Sequence, residues 1–332
     1  MRAGRAGHNA RMPERQPTPL TDEMKALSAR MEAILAETGP ITGGALSARL
    51  DESGEAVSPI ALWRTVYSVR RFRIYNCARY YLRYDILRGN ELRLSPSILR
   101  DFLTFSLVYM PEQKVSVVEA GTRLANRHRA ISLRKLGRAR QALLKLPKDL
   151  QDVITRHCVV FLSGDVAYYL AHDTPRRHAQ LQTPLKGSDI DIVIVTNAEA
   201  PPDKMRQIES ELLTIKKIYL LTPTIREEID FIVKPIDRMM EQLAYTTIHD
   251  KIASKILYES YFLMGRTDMY ESMIQNMVMR GTRARIESDF ETALRERQQT
   301  IQTIFELDPA ASVEDPEVAS LFFASQERLE FR

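Results

Sequence analysis

The sequence predicts an α+β chain in which helices outnumber strands. Apolar residues recur at helical spacing from Met24 to Leu35, from Val115 to Leu146 and from Ile286 to Phe305. Alternating or continuous apolar runs at 72–84, 159–162 and 190–195 are too short for helices and read as strands. The 332 residues are 44% hydrophobic and 27% charged, which leaves room for two or three globular domains with real cores. Two cysteines, Cys77 and Cys158, lack the spacing of a disulfide framework or a zinc site and point to a reducing compartment. The longest apolar-rich stretch without a charge, Phe102 to Pro111, is ten residues long, against the roughly 20 a membrane helix needs. A cytoplasmic protein with no membrane partner is expected.

Residues 1–20 carry three Pro and four Arg with no apolar h-region, and are expected to form a disordered basic arm. A first helix follows from Thr21 and stops at Gly39-Pro40. A second covers Ala45 to Leu50, and Ser58-Pro59 caps a third through Ile60, Leu62, Trp63, Val66 and Val69. Phe72 to Tyr75 and Arg79 to Tyr84 then alternate at strand spacing and predict a hairpin. Three short helices followed by a hairpin, here over residues 21–92, is the order of a winged helix-turn-helix. In that module the third helix can enter the major groove while the wing meets the backbone. Arg64, Arg70, Arg71, Arg73, Arg79 and Arg83 sit on this helix and wing. They read as nucleic-acid contacts or, since such modules also dock on proteins, as surface charge. Trp63 is expected in the core.

Residues 93–157 read as a basic helical linker. Ser95-Pro96 starts a helix through Leu99, Phe102, Leu103 and Leu107, and Val115 to Leu146 carries Arg123, Arg127, Arg129, Arg134, Lys135, Arg138, Arg140 and Lys145. The net charge of +4 conceals a polarised chain: residues 60–145 hold 18 Lys+Arg and 5 Asp+Glu, whereas the remainder is net acidic. Such a block suits a polyanion, DNA or RNA, and equally suits solvated helix faces or an acidic protein partner.

The carboxylates are the most informative feature. Gly187-Ser188 precede Asp189-Ile190-Asp191, which opens the apolar run Ile192 to Val195. Residues i and i+2 of a strand share a face, so Asp189 and Asp191 lie side by side. Adjacent carboxylates on a buried strand are costly without a cation, and Mg²⁺ is the hard ion that carboxylates and phosphates hold together. A third acid, Asp230, stands in Glu228-Ile229-Asp230-Phe231-Ile232-Val233. If the two strands are neighbours, Asp189, Asp191 and Asp230 form a metal-binding catalytic triad with room for two Mg²⁺ ions, suited to phosphoryl or nucleotidyl transfer.

With Ser163-Gly164 ending the apolar run from Val159, these motifs resemble the nucleotidyltransferase superfamily related to DNA polymerase β, over residues 155–280. The local match is to AbiEii-type abortive-infection toxins. The resemblance implies a catalytic domain at 158–280 with a small mixed sheet flanked by helices; the helical spacing of Ile286, Phe290, Leu294, Ile301, Ile304 and Phe305 predicts C-terminal helices at 281–332 packed on that sheet. It implies an NTP substrate bound by Ser163, Gly164, Ser188, Lys251, Lys255 and Arg266, and transfer of an NMP to a hydroxyl acceptor such as RNA or a tRNA 3′ end. The setting implied is a toxin–antitoxin or phage-defence system, with an antitoxin or defence-complex subunit as protein partner.

Lys251 and Lys255 are one helical turn apart and could share a cleft or be solvated; Arg266 could position Lys255 through Asp268, or the pair could cap a helix. Asp165 departs from the small residue the family has after the glycine, and a carboxylate there would repel a triphosphate. The insertion His172 to His178 reads as a loop over the site or as disordered chain. No P-loop, dinucleotide-binding or zinc-protease motif is present. The alternatives are a nucleic-acid-binding regulator or defence subunit with a degenerate catalytic domain, and a synthase of nucleotide second messengers.

Overall fold

The computed structural model describes residues 20–52, 54, 57–77, 84–86, 92–94, 97–178, 181–307 and 315–322. The chain is α+β, and its contacts divide it into two compact units, Met1–Asn126 with Asp289–Arg332, and Arg127–Ser288. No helix among the described residues is long and apolar enough to cross a membrane.

The first unit opens with α1 (Asp22–Thr38), where the Thr21 hydroxyl accepts from the Met24 N–H and Asp22 and Glu23 complement the helix N-terminus. Gly39, at φ +74°, ends it. β1 (Ile41–Thr42) and α2 (Gly43–Glu52) follow, then α3 (Pro59–Ser68), capped by Ser58 with Pro59 in its first turn. β2 (Arg73–Asn76) comes next, and β3 (Tyr84–Ile86) pairs with β4 (Leu92–Leu94).

β2 pairs antiparallel with β5 (Ser106–Tyr109), which lies between β1 and β2. The second strand of the hairpin expected between 72–75 and 79–84 falls largely outside the described residues. Leu107 and Val108 are buried in β5, as suits the central strand of the three. The helix expected from Ser95 to Leu107 is corrected: α4 (Ile98–Arg100) runs into a π-turn at Asp101–Phe105 and ends there. The Asp101 carboxylate accepts from Asn76 Nδ2 at 2.7 Å and Arg297 Nη2 at 2.5 Å, and these bonds tie the turn to neighbouring elements.

α5 (Lys114–Leu144) begins in the first unit and continues into the second, and α6 (Lys148–His157) leads into a four-stranded sheet. There β6 (Cys158–Ser163) is buried at all six positions and runs straight into α7 (Gly164–Ala167). The insertion is a β-hairpin, β7 (Pro175–His178) with β8 (Leu181–Lys186), rather than a simple loop. β9 (Ile190–Thr196), α8 (Pro202–Leu221), β10 (Ile229–Pro235), α9 (Ile236–Gln242), α10 (Ile248–Tyr258), β11 (Tyr261–Gly265) and α11 (Thr267–Met279) complete the unit. The strand order is β10-β9-β6-β11, with β10 parallel to β9 and the other pairs antiparallel. Val160, Leu162, Ile190, Ile192, Ile194 and Ile229 pack from one sheet face against Ile154 of α6 and Ile208, Leu212 and Ile215 of α8. That burial leaves the alternate positions for chemistry.

α12 (Thr282–Glu306) returns to the first unit, followed by α13 (Pro316–Phe322). The C-terminal helices, expected to pack on the four-stranded sheet, instead place Ile301, Ile304, Val318 and Phe322, among the described residues, in the first unit's core with Trp63. The reason is aromatic, since Trp63 stacks with Tyr67 and Phe305 and meets Phe322 edge-on at 5.5 Å between ring centroids. Trp63 is fully buried, as a core residue should be.

Candidate active site

Strand registry builds the site. Ser163 of β6 stands opposite Asp191 of β9, and Asp191 opposite Asp230 of β10, so the three share one row across the sheet. One pleat earlier, the Ile190 N–H donates to the Glu228 carbonyl at 3.0 Å, which sets Asp189 beside Glu228. Side chains two apart share a face, so Asp189, Asp191, Glu228 and Asp230 all lie on the face opposite Ile190, Ile192 and Ile229.

Asp189, Glu228 and Asp230, all half-buried, each bring a carboxylate oxygen to within 4.8 Å of the others. An octahedral Mg²⁺ with oxygens near 2.0–2.1 Å separates its ligands by about 3 to 4 Å, close to the spacing of these oxygens. The donor set of hard carboxylate oxygens also fits that ion. Of the expected triad, Asp189 and Asp230 are in this cluster, and Glu228 stands in it where Asp191 was expected. Its signal lies in the sequence, because Glu228-Ile229-Asp230 repeats the acid-x-acid pattern of Asp189-Ile190-Asp191.

Lys216, on α8, pairs with the same acids: its ammonium meets Asp230 and lies 3.3 Å from Glu228 Oε1. Burial pulls its pKa down, but the hydrogen bond and charge of Asp230, with those of Glu228, outweigh it and hold the ammonium above its ordinary value. A cation therefore already sits against two of the three acids. Nothing in the sequence pattern of α8 marks this lysine out.

Two glycines let the turns close. Gly164 adopts φ +70°, and a Cβ there would stand 2.9 Å from Asp191 Oδ2; Gly187, at φ +58°, would put a Cβ 1.7 Å from the His172 carbonyl oxygen. Ser188, almost fully buried, receives the His172 N–H on its Oγ at 3.2 Å and donates to Asp165 Oδ2 at 2.9 Å. Asp165 therefore receives a hydrogen bond from the turn that precedes Asp189.

The basic stretch of α5 turns inward at this point. Lys135, fully buried, donates from Nζ to the Lys186 carbonyl at 3.0 Å and the Ser188 carbonyl at 2.8 Å. It also lies 3.3 Å from Glu227 Oε1, equally buried, which Arg134 and Arg138 also reach. Desolvation outweighs Glu227 and lowers the Lys135 pKa. Arg134 further pairs with Asp173 at 2.5 Å. These three cations, expected to line a polyanion groove, are in ion pairs with the protein's own acids.

Of the other expected residues, Lys255 pairs at 2.8 Å with the buried Glu259 on its own helix, and Lys251 lies over the Tyr245 ring, 5.2 Å from its centroid. Arg266 precedes α11 and bonds through Nε to Asp268 Oδ1 at 2.9 Å; that bond holds the Asp268 carboxyl down to about 2. The pair stands at the start of the helix, where Arg266 as the N-cap residue makes no side-chain capping bond. Burial pushes the Cys77 and Cys158 thiols up to about 12, with Asp101 adding to the effect at Cys77, so neither supplies a thiolate at neutral pH.

In the first unit, six of the ten residues of α3 are buried and Arg64 is half-buried, so that helix offers little free surface to a DNA groove. Arg70, Arg71 and Arg73 are exposed, but Arg71 pairs with Glu112 at 2.6 Å, and Arg73 donates to the Arg70 and Phe72 carbonyls. Arg79 and Arg83 lie outside the described residues. No protein-family model matches the chain, and no curated protein matches it in sequence.

Proposed function

We propose that the second unit is a Mg²⁺-dependent nucleotidyltransferase that moves a nucleoside monophosphate from an NTP to a hydroxyl acceptor. The observation that carries this reading is the registry Ser163–Asp191–Asp230, with Asp189 and Glu228 one pleat away. Asp189, Asp191 and Asp230 are the acids that the resemblance to the DNA polymerase β-related superfamily implies; Glu228 is added by the structure. In the reaction the acceptor oxygen bonds to the α-phosphorus, the bond to the bridging oxygen breaks, pyrophosphate departs, and the hydroxyl proton is released. Asp189, Glu228 and Asp230 would hold Mg²⁺, with Asp191 beside them; the ion would supply Lewis-acid stabilisation of phosphate charge. Gly164, having no Cβ, leaves its turn open to close approach by a phosphate. Ser188 and Asp165 fix the backbone from which Asp189 projects, and Lys216 neutralises Asp230 and Glu228 when no other cation is present.

The acceptor is read as RNA, from the resemblance to AbiEii-type toxins, with a toxin–antitoxin or defence system as setting. The first unit, with three helices and the sheet β1-β5-β2, is read as a winged-helix variant whose wing strands are far apart in sequence. A regulator with a degenerate catalytic domain is the second reading, favoured by Lys216 seated on two of the acids. One assay separates the two: full-length protein with labelled NTPs, Mg²⁺ and total RNA. Label transfer that falls roughly a hundredfold or more in Asp189→Asn and in Asp230→Asn is expected. Absence of transfer from any NTP overturns the enzymatic reading in favour of the regulator, and label in free oligonucleotides instead of RNA would mark a second-messenger synthase.

A further inference from the structure

We infer that Lys135 and Glu227 are a positioning pair that sets the separation of the two acid-bearing turns; the inference deepens the metal-site reading above and rests on it. Lys135 donates to the carbonyl of Ser188, the residue before Asp189, and faces the carboxylate of Glu227, the residue before Glu228. One fully buried ammonium therefore ties the start of β9 to the start of β10 from the α5 side. Asp189 and Glu228 are next in chain on each side, so this link acts with the Ile190–Glu228 backbone bond in holding their spacing.

Lys135 completes a buried polar row on α5 at i, i+4 and i+7, with His128 and Ser132. His128 Nδ1 lies 3.0 Å from the Ala171 carbonyl oxygen, and Ser132 Oγ accepts the Ala171 N–H at 3.0 Å. The next residue, His172, exchanges bonds with Ser188 through backbone and side chain, at 3.1 and 3.2 Å. The row thus grips the Ser188 turn both directly and through the chain that precedes the inserted hairpin. A buried charge pair is a weak source of stability compared with apolar side chains of the same volume, so retention of one beneath a set of carboxylates points to geometry. Outer-shell partners of this kind orient metal ligands.

The test compares Mn²⁺ binding, by electron paramagnetic resonance on the full chain, with amide exchange at Ser188 to Ile190. Lys135→Met should weaken Mn²⁺ binding roughly 10–100-fold and speed exchange in that turn. Lys135→Met/Glu227→Gln removes both charges and leaves an acceptor for Arg138, so it should recover most of the melting temperature while Mn²⁺ affinity stays low. A role in stability alone predicts that affinity recovers with melting temperature. Folded Lys135 variants with wild-type Mn²⁺ affinity and wild-type exchange overturn the positioning role. A wild type that binds no Mn²⁺ overturns the functional reading instead, and exchange in the turn then decides the positioning role by itself.

Discussion

A methyl group at Gly187 and one at Gly164 should have different consequences, although both residues adopt positive φ. At Gly187 the carbon would meet the His172 backbone carbonyl at 1.7 Å, and backbone cannot step aside. Gly187→Ala should cost more than about 3 kcal/mol, from the clash added to left-handed strain. At Gly164 the obstacle is the tip of the Asp191 side chain, which can rotate away. Gly164→Ala should cost about 1–2 kcal/mol in stability, the left-handed penalty alone, yet displace an acid of the site. Thermal denaturation and the transfer assay together check this: Gly164→Ala should stay folded and lose activity, whereas Gly187→Ala should lose its fold first. Equal melting temperatures for the two variants would contradict the account.

Among the elements, α10 depends on its capping box. The Thr247 hydroxyl accepts the Asp250 N–H at 3.1 Å, and Asp250 Oδ2 accepts the Thr247 N–H at 3.0 Å and the Thr246 hydroxyl at 2.9 Å. Burial raises the Asp250 pKa, but these bonds outweigh it and leave the carboxyl below its ordinary value of 3.8. The sign follows from linkage: a depressed acid stabilises the fold above its unfolded value and loses that contribution as pH falls through the folded one. The melting temperature of wild type relative to Asp250→Asn should therefore be constant above about pH 5 and decline below about pH 4. Thr247→Ala should cost about 1 kcal/mol at pH 7. In α13, Phe322→Ala should cost about 3–5 kcal/mol in chemical denaturation, because Phe322 is fully buried against Trp63 of α3. A cost near zero would mean that α13 does not cover that helix in solution.

For the whole molecule, the excess of cations in residues 60–145 overstates the charge free to meet a polyanion. Arg71 pairs with Glu112, Arg123 lies 3.9 Å from Glu119, and Arg134, Lys135 and Arg138 converge on Glu227. Eighteen free cations would give a slope of about −16 for log binding constant against log salt on duplex DNA. The measured slope of the proposed nucleic-acid contact should be far shallower. Reversing Arg70, Arg71 and Arg73 to Glu should flatten it by about 3 more if all three meet phosphates. A slope unmoved by the triple reversal places that contact elsewhere on the chain.

The acids on β9 were legible in the sequence because a strand has a period of two, and Asp189-Ile190-Asp191 can face only one way once Ile192 and Ile194 are buried. The helix cap at Ser58 was legible for the same local reason, since a cap is made within three residues. Pairing across long stretches of chain was not. The pairing of β2 with β5, the return of α12 and α13 to Trp63, and the seating of Lys216 and Lys135 against acids each depend on which distant surfaces meet. A lysine written into a basic run looks like surface charge until a buried glutamate 92 residues later is folded against it. The sequence by itself determined the periodicities, the caps and the acid pairs, which are short-range properties of the backbone; tertiary structure alone decided which charges are neutralised inside, because burial is a property of neighbours rather than of order along the chain.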